Sequence, residues 1–191
     1  REAEPVQERN MQEKYSRNIE DKRTIAAYAA TLVRPNDFIF LDAGSTTEQL
    51  ATYLTEKDAV YVTNGITLAQ KLAQRGLKTL LLAGHVKATT DAVIGTEAVA
   101  SLQYYHFSKG FFGTNGITVE EGFTTPDIEE AMNKRVAMEH CRKCYVLADA
   151  SKFEALSNVS FGPLSKGVII TAAQEGLNVK SYKQHTEVIV L

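Results

Sequence analysis

Phe38-Ile39-Phe40-Leu41 is a short apolar run with no polar break. A strand that is apolar at every position, rather than at every second one, is buried on both faces, and that is the signature of a parallel sheet covered by helices. The run leads into Asp42-Ala43-Gly44-Ser45-Thr46-Thr47 and then the helical stretch EQLATYL. The same unit recurs. AVYV, the turn TNGI and the helix TLAQKLAQRG ending in Gly76 are followed by KTLLLA with Gly84-His85, and later by KGFFG, CYVLA, GVIIT and TEVIVL. Strands alternating with helices predict an α/β protein with a mostly parallel sheet and helices on both faces. EAVASLQ reads as helix, VKATTDAVIG as strand or loop, and Thr118 to Thr125 as a hairpin or loop. Thr125-Pro126-Asp127 predicts a helix start, with Thr125 as cap, Pro126 at the first position and Asp127 in the first turn.

The pentapeptide TNGIT occurs twice, at Thr63–Thr67 and Thr114–Thr118. Asn-Gly between apolar runs is a hairpin signal, but LAQKLAQ after the first copy has helical spacing. The flanks of the two copies do not match, so a solenoid repeat is excluded. The two copies are expected as two loops on one rim of the sheet.

In an open parallel sheet, ligands bind outside the C-terminal ends of the strands. The distinctive polar residues collect there: Asp42 with Gly44-Ser45-Thr46-Thr47, Asn64-Gly65, Gly84-His85, Thr114-Asn115-Gly116, and Asp149 with Ser151-Lys152. A glycine and three hydroxyls at a helix start suit an anion, because first-turn N–H groups lack intrahelical acceptors; the plainer reading is a helix cap. A carboxylate is repelled by an anion, so Asp42 is expected to accept hydrogen bonds from sugar hydroxyls or from the loop backbone. Lys152 can supply charge to an acidic ligand. Glu130 and Lys134 are four apart on one helix and read as a surface ion pair. His85 has no metal-ligand partners spaced around it.

The opening, REAEPVQERNMQEKYSRNIEDKR, is dense in both charges, and Met11, Tyr15, Ile19, Lys22, Ala26, Ala29 and Val33 fall near one helical face. It reads as an exposed connector running into a helix that Pro35 and Asn36 stop. The 191 residues suit one or two domains, 44% are hydrophobic, and the net charge is −2. Nothing in that balance suggests a nucleic-acid-binding surface, and no apolar run is long enough to span a membrane. Two cysteines are too few for a disulfide scaffold and fit a cytoplasmic setting. Cys141-Arg142-Lys143-Cys144 follows a helix instead of opening one, so it reads as two reduced structural thiols.

DAGSTT after a strand, VTNGI, GTNGI followed by GFTTPDIEEA, and LADASKF together resemble the effector-sensing domain of the DeoR family of bacterial repressors, from about Asp21 to Thr171. The branch that represses fructose-utilisation operons is the nearest in pattern, with lactose-operon repressors second. The resemblance implies a fold like ribose-5-phosphate isomerase and the CoA-transferase-like sheets. It implies that Gly44, Ser45, Thr46 and Thr47 bind the phosphate of a sugar phosphate, fructose 1-phosphate first. Asp42, Asn64, Asn115, Gly116, Thr124, Thr125, Glu130, Asp149 and Lys152 would surround the sugar. It also implies that residues 1–22 link to an N-terminal winged helix-turn-helix, absent from this chain that starts at Arg1, and that 23–191 are the sensor. Operator DNA would be bound through that other domain, the protein would be a homo-oligomer, and no cofactor, metal or membrane is expected. A sugar-phosphate isomerase-like enzyme is the alternative, with Asp42, Glu130, Asp149 and Lys152 as acid, base and clamp. A third reading is a pure oligomerisation module.

Overall fold

The computed structural model describes residues 4–5, 10 and 18–191. The first strand, β1 (Glu4–Pro5), lies beside a later short strand. Helix α1 (Ile19–Ala30) then leads into β2 (Phe38–Leu41), α2 (Ser45–Glu48), α3 (Leu50–Tyr53), β3 (Val60–Thr63) and α4 (Ile66–Gln74). Next come β4 (Lys78–Leu81), the pair β5 (His85–Lys87) and β6 (Ala92–Ile94), α5 (Thr96–Leu102) and β7 (Phe107–Phe112). The chain closes with β8 (Gly116–Thr118), β9 (Gly122–Thr125), α6 (Ile128–Glu139), β10 (Cys141–Leu147), β11 (Ala155–Leu156), β12 (Val159–Gly162), β13 (Val168–Thr171) and β14 (Val188–Val190).

Seven strands form one sheet in the order β14-β13-β10-β7-β2-β3-β4, and its paired strands are all parallel. The continuous apolar runs are explained by two cores. On one face Ile25, Ala29, Leu50, Leu54, Leu68 and Leu72 of α1, α3, α4 and their flanks cover Ile39, Leu41, Tyr61 and Phe111. On the other, Ala98 and Leu102 of α5 and Ala131, Ala137 and Met138 of α6 cover Phe40, Val62, Phe112 and Val146. Successive residues of one strand thus point into different cores, and each is fully buried. The α/β class with helices on both faces is as the sequence predicts.

A small antiparallel sheet, β12-β9-β8, and the hairpin β5–β6 stand off the main sheet. The ambiguous VKATTDAVIG is that hairpin; its turn is a 3-10 segment, Ala88–Thr90, closed by Asp91 at φ 56°. The segment after the second TNGIT is also a hairpin, β8 on β9.

The start of α6 differs from expectation. Thr125 is the last residue of β9, paired with Val159, and its Oγ1 donates to Asn115 Oδ1 at 3.1 Å. Asp127 is the cap, accepting from Glu130 N–H at 3.2 Å, and the helix starts one residue later at Ile128. The threonine hydroxyl is committed to the neighbouring loop, so the next oxygen-bearing side chain takes the capping position.

Helix α1 runs unbroken across the boundary expected between residues 22 and 23, and Lys22 on it is buried. Met11, Tyr15 and most of the connector lie outside the described residues. Cys141 and Cys144 open β10 as free thiols, directly after the C-terminal end of α6.

Candidate functional site

The C-terminal ends of β2, β3 and β7 open into a cleft of about 590 Å³, its open mouth included. Asp42, Gly44, Ser45 and Thr46 come to it from the loop after β2, and Asn64 from the loop after β3. Asn115 follows β7, Thr125 ends β9, Glu130 lies on the first turn of α6 and Lys152 follows β10. The two TNGIT copies therefore meet at one rim, although the first leads into a helix and the second into a hairpin.

The local chemistry holds these loops in place. Asn64 is buried; its Oδ1 accepts from Ala43 N–H at 2.8 Å and its Nδ2 donates to Val93 O at 3.3 Å, joining the β2 loop to the β6 strand. Thr63 Oγ1 accepts from Gly65 N–H at 3.0 Å. In the second copy Thr114 Oγ1 donates towards Gly116 O and Thr124 O, at 2.9 and 3.1 Å. The glycine loop starts α2: Glu48 N–H donates to Gly44 O at 2.9 Å, and Thr47 Oγ1 to the same oxygen at 3.1 Å. A side chain at 44 would stand 3.2 Å from Thr47 Oγ1, so the loop is tight against its own first turn. Ser45, Thr46 and Thr47 supply the first-turn N–H groups, which have no acceptor within a helix. Glu48 anchors the turn through Lys71 at 2.6 Å; burial pushes its carboxyl up, against the pull of that lysine.

Asp42 lies under the cleft, 2% exposed. Its Oδ2 accepts from Gly113 N–H at 3.0 Å and pairs with Lys134 Nζ, which also donates to Gly113 O at 3.0 Å. Of the two roles expected for Asp42, the structure shows the bond to loop backbone. Burial pushes its carboxyl up, Lys134 and the Gly113 N–H pull it down, and the nearby Glu130 charge pushes it up again. Burial is the larger effect, because both side chains of the pair are almost wholly withdrawn from water.

Lys134 is not the surface partner of Glu130 that the spacing suggested. It is buried and turned inward to Asp42, and Glu130 instead accepts from Thr90 Oγ1 and stands 3.9 Å from Lys87. An i,i+4 ion pair is worth only a few tenths of a kcal/mol, whereas an unpaired Asp42 would be a buried charge without compensation.

Four expected residues are not on the cleft wall. Thr47 is fully buried behind the loop. Gly116 packs against β11, where a Cβ would meet Ala155 O at 2.2 Å. Thr124 Oγ1 accepts from Ser157 N–H at 3.0 Å. Asp149 caps the turn that carries Lys152, accepting from Ser151 N–H at 2.9 Å, and also accepts from Asn18 Nδ2 at 3.3 Å. These residues shape the wall from behind.

The sequence reading missed Thr90, Ala92, Gly113 and Lys134 on the wall, and Lys22 behind it. Lys22 Nζ donates to Ser45 Oγ at 3.0 Å. Its signal in the sequence was a lysine within an otherwise apolar helical stripe, and the structure leaves it 2% exposed. Among the described residues no group of three or more His, Cys, Asp or Glu side chains could hold a metal ion, and no helix is long and apolar enough to cross a membrane.

The fold has solved counterparts. Ribose 5-phosphate isomerase A from Methanocaldococcus jannaschii superposes with a TM-score of 0.51 at 16% identity, over 71% of this chain and 55% of that one. The eIF2B beta subunit from Chaetomium thermophilum gives 0.55 at 16% identity, over 88% and 54%. The chain thus spans about half the length of these structures, and at such identity the likeness is one of fold alone. Sequence relatives are closer. An uncharacterized HTH-type transcriptional regulator, FruR, from Bacillus subtilis is 41% identical over 96% of this chain and 74% of its own length. A lactose phosphotransferase system repressor from Streptococcus mutans is 34% identical over 95% and 74%. The family model described as the DeoR C terminal sensor domain matches residues 17–172, which include every wall of the cleft. The chain belongs to the DeoR family and carries its C-terminal sensor domain.

Proposed function

We propose that the cleft binds a phosphorylated sugar, fructose 1-phosphate first, and that occupancy relieves repression of a sugar-utilisation operon by the full-length protein. The observation that carries this reading is the composition of one wall. Ser45 and Thr46 open a helical turn beside Lys152, with Lys22 bonded to Ser45 from behind. Hydroxyls, first-turn N–H groups and ammonium groups together favour a phosphate. The facing wall, Asn64, Asn115, Thr125 and Glu130, offers donors and acceptors suited to sugar hydroxyls. In this reading Gly44, Ser45, Thr46 and Thr47 form the phosphate loop. Asp42, Gly116, Thr124 and Asp149 support the sugar side through the bonds described above.

The relatives support an operon regulator, since two bear the names FruR and lactose phosphotransferase system repressor. Operator DNA would be held by a winged helix-turn-helix joined through residues 1–22, in a homo-oligomer. Helix α1 supports a route between the two, because Asn18 bonds Asp149 and Lys22 bonds Ser45. A ligand can shift such an arrangement only by its differential affinity for the two states.

Isothermal titration with fructose 1-phosphate, fructose 6-phosphate, tagatose 6-phosphate and free fructose is the test. Binding of fructose 1-phosphate alone is expected. Binding of another sugar phosphate changes the effector, and failure of all at millimolar concentration overturns the reading. NMR of the same mixtures tests the enzymatic alternative: an unchanged spectrum of bound sugar is expected, and turnover would sink the sensor reading.

A further inference from the structure

We propose that Glu130 makes the cleft selective for a singly phosphorylated sugar and turns sugar bisphosphates away, an inference that rests on the sugar-phosphate reading of the cleft. The two ends of the cleft belong to helices on opposite faces of the sheet. Ser45 opens α2, which packs on α1, and α1 covers one core. Glu130 stands on α6, whose Ala131 and Ala137 lie in the other core. A ligand anchored at the Ser45 loop therefore reaches across the strand ends towards Glu130.

The charges at the two ends differ. At the Ser45 end, Lys22 bonds Ser45 from behind and Lys152 stands on the wall. Of the two carboxylates on the wall, Asp42 is matched by Lys134 at the floor. Glu130 shares its ammonium. Its Oε2 is 3.9 Å from Lys87 Nζ, which lies nearer to Asp127 Oδ2, at 3.5 Å. Two carboxylates and one ammonium leave that end with a surplus negative charge, and Thr90 Oγ1, donating to Glu130 Oε1, holds the carboxylate at the wall.

A phosphate monoester carries a charge of about −1.5 to −2 at neutral pH. Held at the Ser45 end, one such group meets hydroxyls, N–H groups and ammonium. A second, at the far end of the sugar, comes against Glu130 and Asp127. Two like unit charges about 4 Å apart repel even in water by an amount worth about fivefold in affinity, and a dianion squares that factor. A sugar hydroxyl at the same place is uncharged and donates to the carboxylate, so Glu130 favours an alcohol where it rejects a phosphate. Space is not the barrier, because a cleft of about 590 Å³ with its mouth lies within the range of small-molecule sites.

Isothermal titration of the parent and of Glu130→Gln with fructose 1-phosphate and fructose 1,6-bisphosphate tests it. The parent is expected to bind the bisphosphate at least about tenfold more weakly than the monophosphate. Glutamine keeps an acceptor for Thr90 and removes the charge, which leaves Lys87 to Asp127, so the gap is expected to close to under about threefold. A merely structural loss weakens both ligands alike and keeps the gap. Equal or tighter binding of the bisphosphate by the parent, or a gap that Glu130→Gln leaves intact, overturns the proposal while the sensor reading stands. Failure of the parent to bind either ligand overturns both.

Discussion

At the scale of single residues, the cleft is organised by charges that the fold has buried in pairs. Lys134→Met leaves Asp42 without its cation among Gly113 and the floor of the cleft. Breaking one side of a buried pair costs about 3–5 kcal/mol, and urea unfolding should show a loss of that order. A loss below about 1 kcal/mol would mean that Asp42 is protonated or solvated in the native state. Asp37 gives a pH-dependent counterpart on the opposite end of β2. Burial tends to raise its carboxyl, but Lys109 at 2.6 Å, the Arg34 N–H and the Ser108 hydroxyl outweigh it and hold the group below the usual aspartate range. A folded value below the unfolded one gives stability that is present above the unfolded value and lost as pH falls through the folded one. The parent should therefore lose stability on acidification below the ordinary aspartate range more steeply than Asp37→Asn. Parallel acid unfolding curves for the two would remove Asp37 from that account. Neither partnership was legible from spacing, because Lys134–Asp42 and Lys109–Asp37 join residues remote in sequence.

At the scale of elements, what was legible follows burial. The runs FIFL, AVYV, KGFFG, CYVLA and GVIIT are strands because their large apolar residues face one of two cores, and a composition signal of that strength is legible in the sequence. The short strands were less legible. β11 and β12 carry no clear alternation, and each pairs with a distant segment, β1 or β9. The hairpin β5–β6 hid behind Thr89-Thr90-Asp91, whose turn depends on a left-handed Asp91, an unusual conformation for a residue other than glycine. That ambiguity also concealed Thr90 and Ala92 on the cleft wall. Gly116 was expected around the sugar, and the structure places it behind the wall, where β8 lets β11 approach. Gly116→Ala puts a Cβ at 2.2 Å from Ala155 O and 2.8 Å from Thr124 Oγ1. Backbone has to move, at a cost of about 1–3 kcal/mol. A lower melting temperature is expected, and also weaker effector binding, because Thr124 and Ser157 tie that strand to the wall. A variant that melts like the parent would show that β11 yields freely.

At the scale of the whole molecule, the cleft joins loops from β2, β3, β7 and β10, so a ligand that fills it should bind the folded chain and not the unfolded one. Such a ligand at a hundred times its dissociation constant adds about 2.7 kcal/mol to stability. For a chain of this size each kcal/mol moves the melting temperature by about 2–4 °C. Fructose 1-phosphate at saturation is therefore expected to raise it by roughly 5–10 °C, and free fructose at the same concentration to leave it unchanged. The difference isolates the phosphate, and two substitutions locate it. Ser45→Ala removes the hydroxyl that Lys22 holds, and Lys152→Ala removes a cation on the cleft wall. Losing a hydrogen bond to a charged group costs about 1.5–3 kcal/mol, which weakens binding roughly tenfold to a hundredfold. The shift should shrink accordingly for the phosphorylated sugar. Both variants should melt near the parent without ligand if these side chains serve binding more than folding. An equal shift for fructose and its 1-phosphate, or a full shift in both variants, would move the anion away from the Ser45 loop and leave that loop as the cap of α2.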